Sequence, residues 1–181
     1  MLRVRDIPGD EHPGLTARPC PERDIMNAPR VVAPVRGPFV VSVTVDGPFR
    51  PSSKSTVKGL SSRLAAGLVI WKDSKNYLVF QHRATSDDGN VVHHAVLEEL
   101  VAGSKGVTRR QAIPEGATSL RLERKRGRIS AAYSKDAKEW KELKPVDTTW
   151  AVGEVQVGVV AVSTSTGPHL VKYDSYSVQA E

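Results

Sequence analysis

The sequence contains few residues of several types that would point directly to a class of function. It contains one cysteine, Cys20, among 181 residues, so the chain cannot form an internal disulfide and its fold does not depend on an oxidising compartment. A single thiol in a proline-rich segment is also a weak candidate for a nucleophile. Aromatic residues make up only 6% of the chain. The three tryptophans and four tyrosines are therefore few enough to be followed one by one.

Long apolar runs are absent as well. No stretch approaches the roughly 20 apolar residues that cross a bilayer, and the polar N-terminal residues do not resemble a signal peptide. We therefore expect no contact with a membrane and a cytoplasmic location. The hydrophobic content of 39% and the charged content of 25% are ordinary for a globular chain. The length predicts a single domain, 1–181, with an N-terminal strand and irregular loop at 1–25 and a core at 26–178.

The most informative stretch is a hairpin pattern between residues 66 and 83. Residues 66–71 and 77–83 are rich in β-branched and aromatic side chains, and residues 72–76 are a polar turn. Successive side chains of a strand point to opposite faces. One face would then be wholly apolar and belong to the core; it carries Leu68, Ile70, Leu78 and Phe80. The other face is mixed and wet, and a ligand could lie on it; it carries Val69, Trp71, Tyr77, Val79, Gln81 and Arg83.

Similar short strands follow one another along the rest of the chain. Strands are predicted at residues 2–7, 26–32, 39–45, 91–101, 119–125, 128–134, 139–143, 155–162 and 170–178. Residues 8–24, 50–63, 85–90 and 103–114 are predicted as loops or connections, and Arg126-Gly127 as a hairpin turn. No segment has a convincing helical pattern. About ten short strands separated by turns predict an all-β fold, a two-sheet antiparallel β-sandwich or jelly roll.

The net charge of +6 raises the question of nucleic-acid binding. The strongest basic cluster comprises Arg121, Arg124, Lys125, Arg126 and Arg128. This cluster surrounds a predicted hairpin turn and has no aromatic platforms on which bases could stack. A solvated hairpin end is therefore the favoured interpretation, and nucleic acid is an unlikely partner.

Three segments carry a resemblance to a known family. They are AGLVIWKDSKNYLVF at 66–80, LRLERKRGRISAAYSKDAKEW at 120–140, and VQVGVVAVSTS with KYDSYSV from 155 to 178. Together they resemble the concanavalin A-like lectin/glucanase superfamily, in the branch of unknown function labelled "regulation of enolase protein"-like. The resemblance spans residues 26–178. It implies a concanavalin A-like jelly roll with a concave face and, by analogy, carbohydrate binding.

Two departures from the family pattern have structural consequences. Family members carry a further strand ahead of the segment that residues 2–7 resemble, so an edge strand could be open to oligomerisation. Ala137 stands where the family has a turn glycine. In the same segment, Ser134, Asp136 and Trp140 resemble an Asp-box, which we interpret as a turn whose aspartate caps backbone N–H groups.

The sequence gives little support for catalysis or metal binding. A glycoside hydrolase needs two carboxylates on one face, about 5 Å apart or about 6.5–9.5 Å apart according to its stereochemistry. Glu98 and Glu99 are adjacent in a strand and point to opposite faces, as do His93 and His94. His82 faces the core. No cofactor is expected; calcium at Asp87-Asp88-Gly89 is an alternative to a plain polar turn.

The mixed face of the hairpin remains as the candidate site. Sugars stack on aromatic rings and bond to amide, guanidinium and carboxylate groups. Trp71, Tyr77, Gln81 and Arg83 offer both kinds of contact, and the neighbouring strands would add His94, Glu98, Asn27 and Arg30. In the alternative, Trp71 packs on Tyr77 and Arg83 pairs with Glu98 for structural reasons only.

These observations favour a non-catalytic module that binds a glycan or glycoconjugate. A protein-interaction or assembly module that uses the basic surface and an open edge is the second hypothesis. A glycoside hydrolase is the third.

Overall fold

The computed structural model describes residues 15–17, 28–87, 89–166 and 169–181, and these form two six-stranded antiparallel sheets. The first sheet has the strand order β1-β12-β3-β8-β9-β10 and the second has the order β2-β11-β4-β5-β6-β7. The strands are β1 (Leu15–Ala17), β2 (Arg30–Val35), β3 (Phe39–Asp46), β4 (Ser62–Asp73), β5 (Asn76–Asp87), β6 (Asn90–Val101), β7 (Ser104–Ala112), β8 (Thr118–Lys125), β9 (Arg128–Ser134), β10 (Lys141–Asp147), β11 (Val155–Ser163) and β12 (His169–Ala180). Over these ranges no helix is long and apolar enough to cross a membrane.

The core lies between the two sheets. Leu68, Ile70, Leu78 and Phe80 are completely buried in it, as the alternation of the central hairpin predicts. They belong to one apolar cluster with side chains of the first sheet, among them Leu120. The two-sheet antiparallel β-sandwich predicted from the sequence is confirmed.

The central hairpin is longer than predicted. Strands β4 and β5 pair from Ser62 and Ser86 to Asp73 and Asn76, so the turn contains only residues 74 and 75. The Asp73 carboxylate accepts a hydrogen bond from the Lys75 N–H at 2.8 Å, and this bond helps to hold the pKa of that carboxyl below its usual range. The turn predicted at 85–90 is also shorter than predicted, because β5 continues to Asp87 and β6 begins at Asn90.

Two segments predicted as irregular contain strands. Leu15–Ala17 forms β1, which pairs with β12, inside the stretch predicted as a loop. Ser104–Ala112 forms β7, an edge strand of the second sheet, where a basic connection was predicted. Every residue of β7 is exposed or half-buried, so this strand lacks the apolar alternation that reveals a strand in a sequence. The strand predicted at 2–7 lies outside the described residues.

The predicted turns of the first sheet are confirmed in detail. Arg126 and Gly127 have φ values of 50° and 75°, which is the left-handed pair of a two-residue type I′ hairpin. Asp136 accepts hydrogen bonds from the N–H groups of Lys138 at 2.9 Å and Glu139 at 3.0 Å. Ala137 has a φ of 58°, so it adopts the conformation that the family turn assigns to glycine.

Arg124 does not belong to the basic surface cluster in which the sequence places it. Its side chain is buried over the ring of Phe39, and its guanidinium donates hydrogen bonds to the carbonyls of Gly37 and Ala151. Burial lowers the pKa of this guanidinium. The residue therefore joins two loops inside the fold, and the exposed cations of the hairpin are Lys125, Arg126 and Arg128.

The family motifs hold the sandwich together. A Cβ at Gly158 of β11 would lie 1.8 Å from the carbonyl oxygen of Val31, so only glycine fits between β2 and β4. In β12, a bulge at Ser175, with a φ of 53°, separates Tyr173 from Tyr176. Both tyrosine hydroxyls therefore donate to backbone carbonyls of β11, that of Tyr173 at 2.7 Å.

Three of the four edge strands in the described sheets carry features that hinder further strand pairing. The edge strand β7 is basic, β2 contains Pro34, and β10 contains Pro145 between charged residues. Charged side chains and proline are the usual means by which an edge avoids intermolecular pairing. Oligomerisation through an open edge stays a prediction.

Candidate functional site on the second sheet

The candidate site is the outer face of β4, β5, β6 and β7, meaning the side that points away from the first sheet. Pairing in register sets its rows across the strands. Trp71 of β4 lies opposite Tyr77 of β5, and Arg83 of β5 lies opposite His94 of β6. Because side chains alternate along a strand, the mixed face predicted from the sequence is this outer face.

One end of the face is aromatic. The rings of Trp71 and Tyr77 stack with their centroids 5.1 Å apart and an angle of 13° between their planes. The guanidinium of Arg30, which reaches over from β2, lies 4.0 Å from the centre of the Trp71 ring. This stack of three groups, Arg30, Trp71 and Tyr77, is called the aromatic end below.

The aromatic end is not the wet surface that the sequence suggests. Trp71 is 9% exposed and Tyr77 is 5% exposed, and they belong to a second apolar cluster with Val69 and Val79. Strand β4 is buried along nearly its whole length, which is typical of a strand that is covered on both faces. The prediction of an exposed aromatic platform is therefore wrong. Whether these rings contact a ligand stays a prediction.

Gln81 follows in the middle of the face, and it too is buried, with 1% exposure. Its Nε2 atom has no hydrogen-bond partner among the described residues. An amide nitrogen can donate two hydrogen bonds, and a buried donor that has no acceptor lowers the stability of the fold. The side chain is therefore polar, buried and unsatisfied beside the polar groups that follow.

The other end of the face, called the polar end, consists of Arg83, His94, Glu98 and Arg110. Both terminal nitrogens of Arg83 bond to the two carboxylate oxygens of Glu98, one of them at 3.0 Å. Arg110 of β7 places Nη2 3.1 Å from Nδ1 of His94. The side chains of Arg83 and Glu98 remain 15% and 24% exposed, so solvent reaches them. The bidentate pair is the one that the alternative structural interpretation predicts.

The electrostatics of the polar end are those of a cationic surface. Partial burial would raise the pKa of Glu98, but the hydrogen bond and charge of Arg83, with the charges of Arg63 and Lys105, lower it overall. Burial, assisted by the charges of Arg110 and Arg83, lowers the pKa of His94. At neutral pH we therefore expect an ionised Glu98 and a neutral His94.

The two ends are well separated. Tyr77 and Arg83 are six residues apart in one strand, which corresponds to about 20 Å. The structure thus brings Arg30 to Trp71 and Tyr77, and it brings His94 and Glu98 to Arg83, but it does not join the two groups into one pocket. Asn27 lies outside the described residues.

Sequence reasoning missed three cations of this face: Arg110, Arg63 and Lys105. Arg110 and Lys105 were missed because β7 was predicted as a connection. Arg63 precedes Ala65 and Gly67 of β4 at two-residue spacing, and this alternation would have revealed it if the strand had been extended to its true start at Ser62.

Metal-binding and catalytic arrangements are not found in the described part of the chain. No three histidine, cysteine or acidic side chains there are grouped so that they could hold a metal ion. Glu99 faces away from Glu98 and accepts a hydrogen bond of 2.7 Å from the indole of Trp150. His93 likewise faces away from His94 and meets His82, with Nδ1 and Nε2 3.0 Å apart. The predicted calcium alternative at Asp87-Asp88-Gly89 involves side chains outside the described residues.

Solved structures with the same fold share little sequence with this chain. A functionally unknown protein from Saccharomyces cerevisiae is 18% identical with a TM-score of 0.66, over 85% of this chain and 75% of its own. A xylan beta-1,4-xylosidase from Bacillus halodurans C-125 is 15% identical with a TM-score of 0.66, over 92% of this chain and 32% of its own. Galectin-Ib of Xenopus laevis is 12% identical with a TM-score of 0.52, over 83% of this chain and all of its own.

These likenesses show the fold, and the chain spans about a third of the length of the xylosidase. No curated protein matches the sequence. A family model does match residues 48–178, which is more than half of the chain and includes strands β4 to β11. The chain therefore belongs to the family of beta xylosidase C-terminal concanavalin A-like domains.

Proposed function

We propose that this protein is a non-catalytic module that binds a glycan at the polar end of the second sheet. The observation that carries the proposal is the polar end itself, where Arg83, Glu98 and His94 are fixed by hydrogen bonds and still reach solvent. Binding groups that are already held in place lose little conformational entropy when a ligand arrives. Support comes from the family, whose description refers to beta xylosidases, and from the likeness to a galectin.

The residues of the face take different parts in this proposal. Arg83 and His94 bond to sugar hydroxyls directly, Glu98 holds Arg83 in place through the bidentate pair, and Gln81 lies buried in the middle of the face. Trp71, Tyr77 and Arg30 stiffen the far end, where a chain of several sugar units would reach them, and Asn27 precedes Arg30 by three residues. The assignment to the "regulation of enolase protein"-like branch, the single-domain organisation and the cytoplasmic location stay predictions.

The chemistry of the polar end supports a non-catalytic role. Hydrolysis of a glycosidic bond uses two carboxylates across one sugar. The polar end holds one carboxylate, and both of its oxygens are already bonded to Arg83. We infer a binding function and expect no release of reducing sugar from a panel of β-glucans and xylans.

The alternative is a protein-interaction or assembly module. It draws support from the exposed cations Lys125, Arg126 and Arg128, which with Glu123 and Asp147 line an open depression of about 450 Å³ on the first sheet. Mixed charges on an exposed depression suit a charged protein partner.

A glycan array followed by titration calorimetry tests the proposal. We expect the wild-type protein to bind at least one class of glycan, and His94→Ala to weaken that binding about 10-fold, the scale of one lost hydrogen bond to a polar ligand. The control is Arg128→Ala, which removes an exposed cation of the first sheet and should not change the affinity.

An array without any signal, together with a stable homo-oligomer in light scattering, would favour the assembly module instead. Equal losses in His94→Ala and Arg128→Ala would also count against a site on the second sheet.

A further inference from the structure

The described side chains of the polar end include several cations and one carboxylate, that of Glu98. Arg83 and Arg110 belong to it, and Arg63 and Lys105 are close enough for their charges to act on Glu98. Among the described side chains of this end, cations therefore outnumber carboxylates, and His94 adds no negative charge. An excess of one sign on a shallow surface attracts ligands of the opposite sign and is screened by salt.

The hydrogen-bonding capacity of the same groups is equally one-sided. Glu98 has both oxygens bonded to Arg83, so its capacity to accept from a ligand is reduced. The donors exposed to solvent include those of Arg110 and Lys105, whereas Nε of Arg83 and Nε2 of Gln81 are buried out of the reach of a ligand. Guanidinium groups cannot accept hydrogen bonds at all.

His94 adds a further donor. Because Nδ1 of His94 faces Nη2 of Arg110, which can only donate, Nδ1 must be the accepting nitrogen of a neutral ring. The ring proton then sits on Nε2, where it can be donated to a ligand. A neutral sugar hydroxyl both donates and accepts, whereas a carboxylate or sulfate only accepts. The polar end is complementary to the second kind of group.

We infer that the polar end binds glycans that carry an anionic oxygen group, a carboxylate or a sulfate, in preference to neutral glycans. This inference rests on the proposed function and names its ligand class. The anionic group lies against Arg110 and His94, where it competes with Glu98 for the terminal nitrogens of Arg83.

The test compares matched ligands. Calorimetry would measure xylohexaose, the same oligosaccharide bearing one glucuronic acid, and the same oligosaccharide bearing one sulfate. We expect the acidic ligands to bind at least about 10-fold more tightly at 50 mM salt, and most of this advantage to vanish at 500 mM, as for charge pairs that solvent reaches. The tighter of the two acidic ligands identifies the group that is recognised.

Two substitutions with opposite expected effects sharpen the test. Glu98→Gln keeps the shape of the side chain and removes the competing charge, so the acidic ligands should bind about 3- to 10-fold more tightly. Arg110→Ala should weaken them about 10-fold. Arg128→Ala, which changes the net charge equally from the other sheet, should leave the preference intact. Thermal melting of each variant confirms that it is folded.

Several outcomes would contradict the preference for anionic glycans. Equal or tighter binding of neutral xylohexaose overturns the anionic preference and leaves the proposed function standing. If Glu98→Gln weakens the acidic ligands, Glu98 is a sugar-binding group and the inference fails. A 12-nucleotide single-stranded DNA that binds as tightly, with the same sensitivity to Arg110→Ala, would reduce the surface to a general polyanion site and overturn it. Failure of all three oligosaccharides overturns the inference, and only together with a glycan array without any signal does it refute the proposed function.

Discussion

Each outer face of the sandwich carries one tryptophan beneath an arginine, and the two tryptophans differ in their burial and in their neighbours. On the second sheet, the guanidinium of Arg30 lies 4.0 Å from the centre of the Trp71 ring. On the first sheet, that of Arg121 lies 4.4 Å from Trp140. Trp71 is buried in an apolar cluster, whereas Trp140 is half-buried at a turn among charged residues.

The neighbours of the two pairs explain the difference. The outer face of the first sheet carries small hydroxyl pairs, such as Ser42 with Ser177 and Thr44 with Ser119, each at 2.9 Å. The outer face of the second sheet carries valines and a stacked tyrosine around its tryptophan. The same contact between a cation and a ring is therefore a surface feature on one sheet and part of a packed layer on the other. A short motif does not reveal which of these it is.

Replacing each of the two tryptophans by alanine should give the largest difference in the free energy of unfolding. Trp71→Ala removes a buried ring and should lower the free energy of unfolding by about 3 kcal/mol, at the lower end for a large aromatic side chain. Trp140→Ala should cost about 1 kcal/mol, because it loses a cation–π contact that solvent reaches. Urea unfolding followed by circular dichroism measures both. Equal losses would show that the apolar layer over Trp71 adds nothing to stability.

Acid should weaken the sandwich through a histidine that the second sheet buries. The ring of His82 stacks on Phe49 with centroids 4.2 Å apart, and its two nitrogens face Thr118 at 3.2 Å and His93 at 3.0 Å. Burial, assisted by the charge of His93, lowers the pKa of His82 to about 3. Unfolding releases the ring to water, where its pKa returns to about 6.5.

The sign of the pH effect follows from this difference. Below pH 6.5 the His82 ring binds a proton in the unfolded chain but not in the folded protein. The free energy of unfolding therefore falls as the pH drops. We expect a total loss of about 2 kcal/mol between pH 6.5 and pH 4.5, beyond the loss in a His82→Gln control. Urea unfolding at a series of pH values measures it. Parallel pH profiles for the two proteins would mean that His82 titrates normally when folded.

The smallest expected effect on stability comes from the turn before Trp140, where a substitution should stabilise the protein. Ala137 adopts a φ of 58°, a conformation that costs a residue with a Cβ more than it costs glycine. Ala137→Gly should therefore raise the free energy of unfolding by about 0.5–1 kcal/mol. Ala132→Gly in the middle of β9 is the control and should lower it. An Ala137→Gly protein less stable than wild type would contradict the strained turn.

The sequence predicts strands best where one face is buried and the other is wet. Strand β3, with its strict alternation of buried and half-buried residues, was correctly predicted almost to the residue. Strand β7 was missed because both of its faces are exposed. At the site, the pairing of Trp71 with Tyr77 and of Arg83 with Glu98 could be foreseen, because register follows from a short hairpin and the residues next to it.

The sequence alone determined the all-β sandwich, the inward face of the central hairpin and the capped turns, because each depends on side chains a few residues apart. Only the tertiary structure decided that the outer face near Trp71 is buried, that Arg124 is internal, and that Arg83 pairs with Glu98 beside His94 and Arg110. Those features arise from residues far apart in the chain that become neighbours when strands pair and layers stack. Periodicity describes which way a side chain points, but not what covers it.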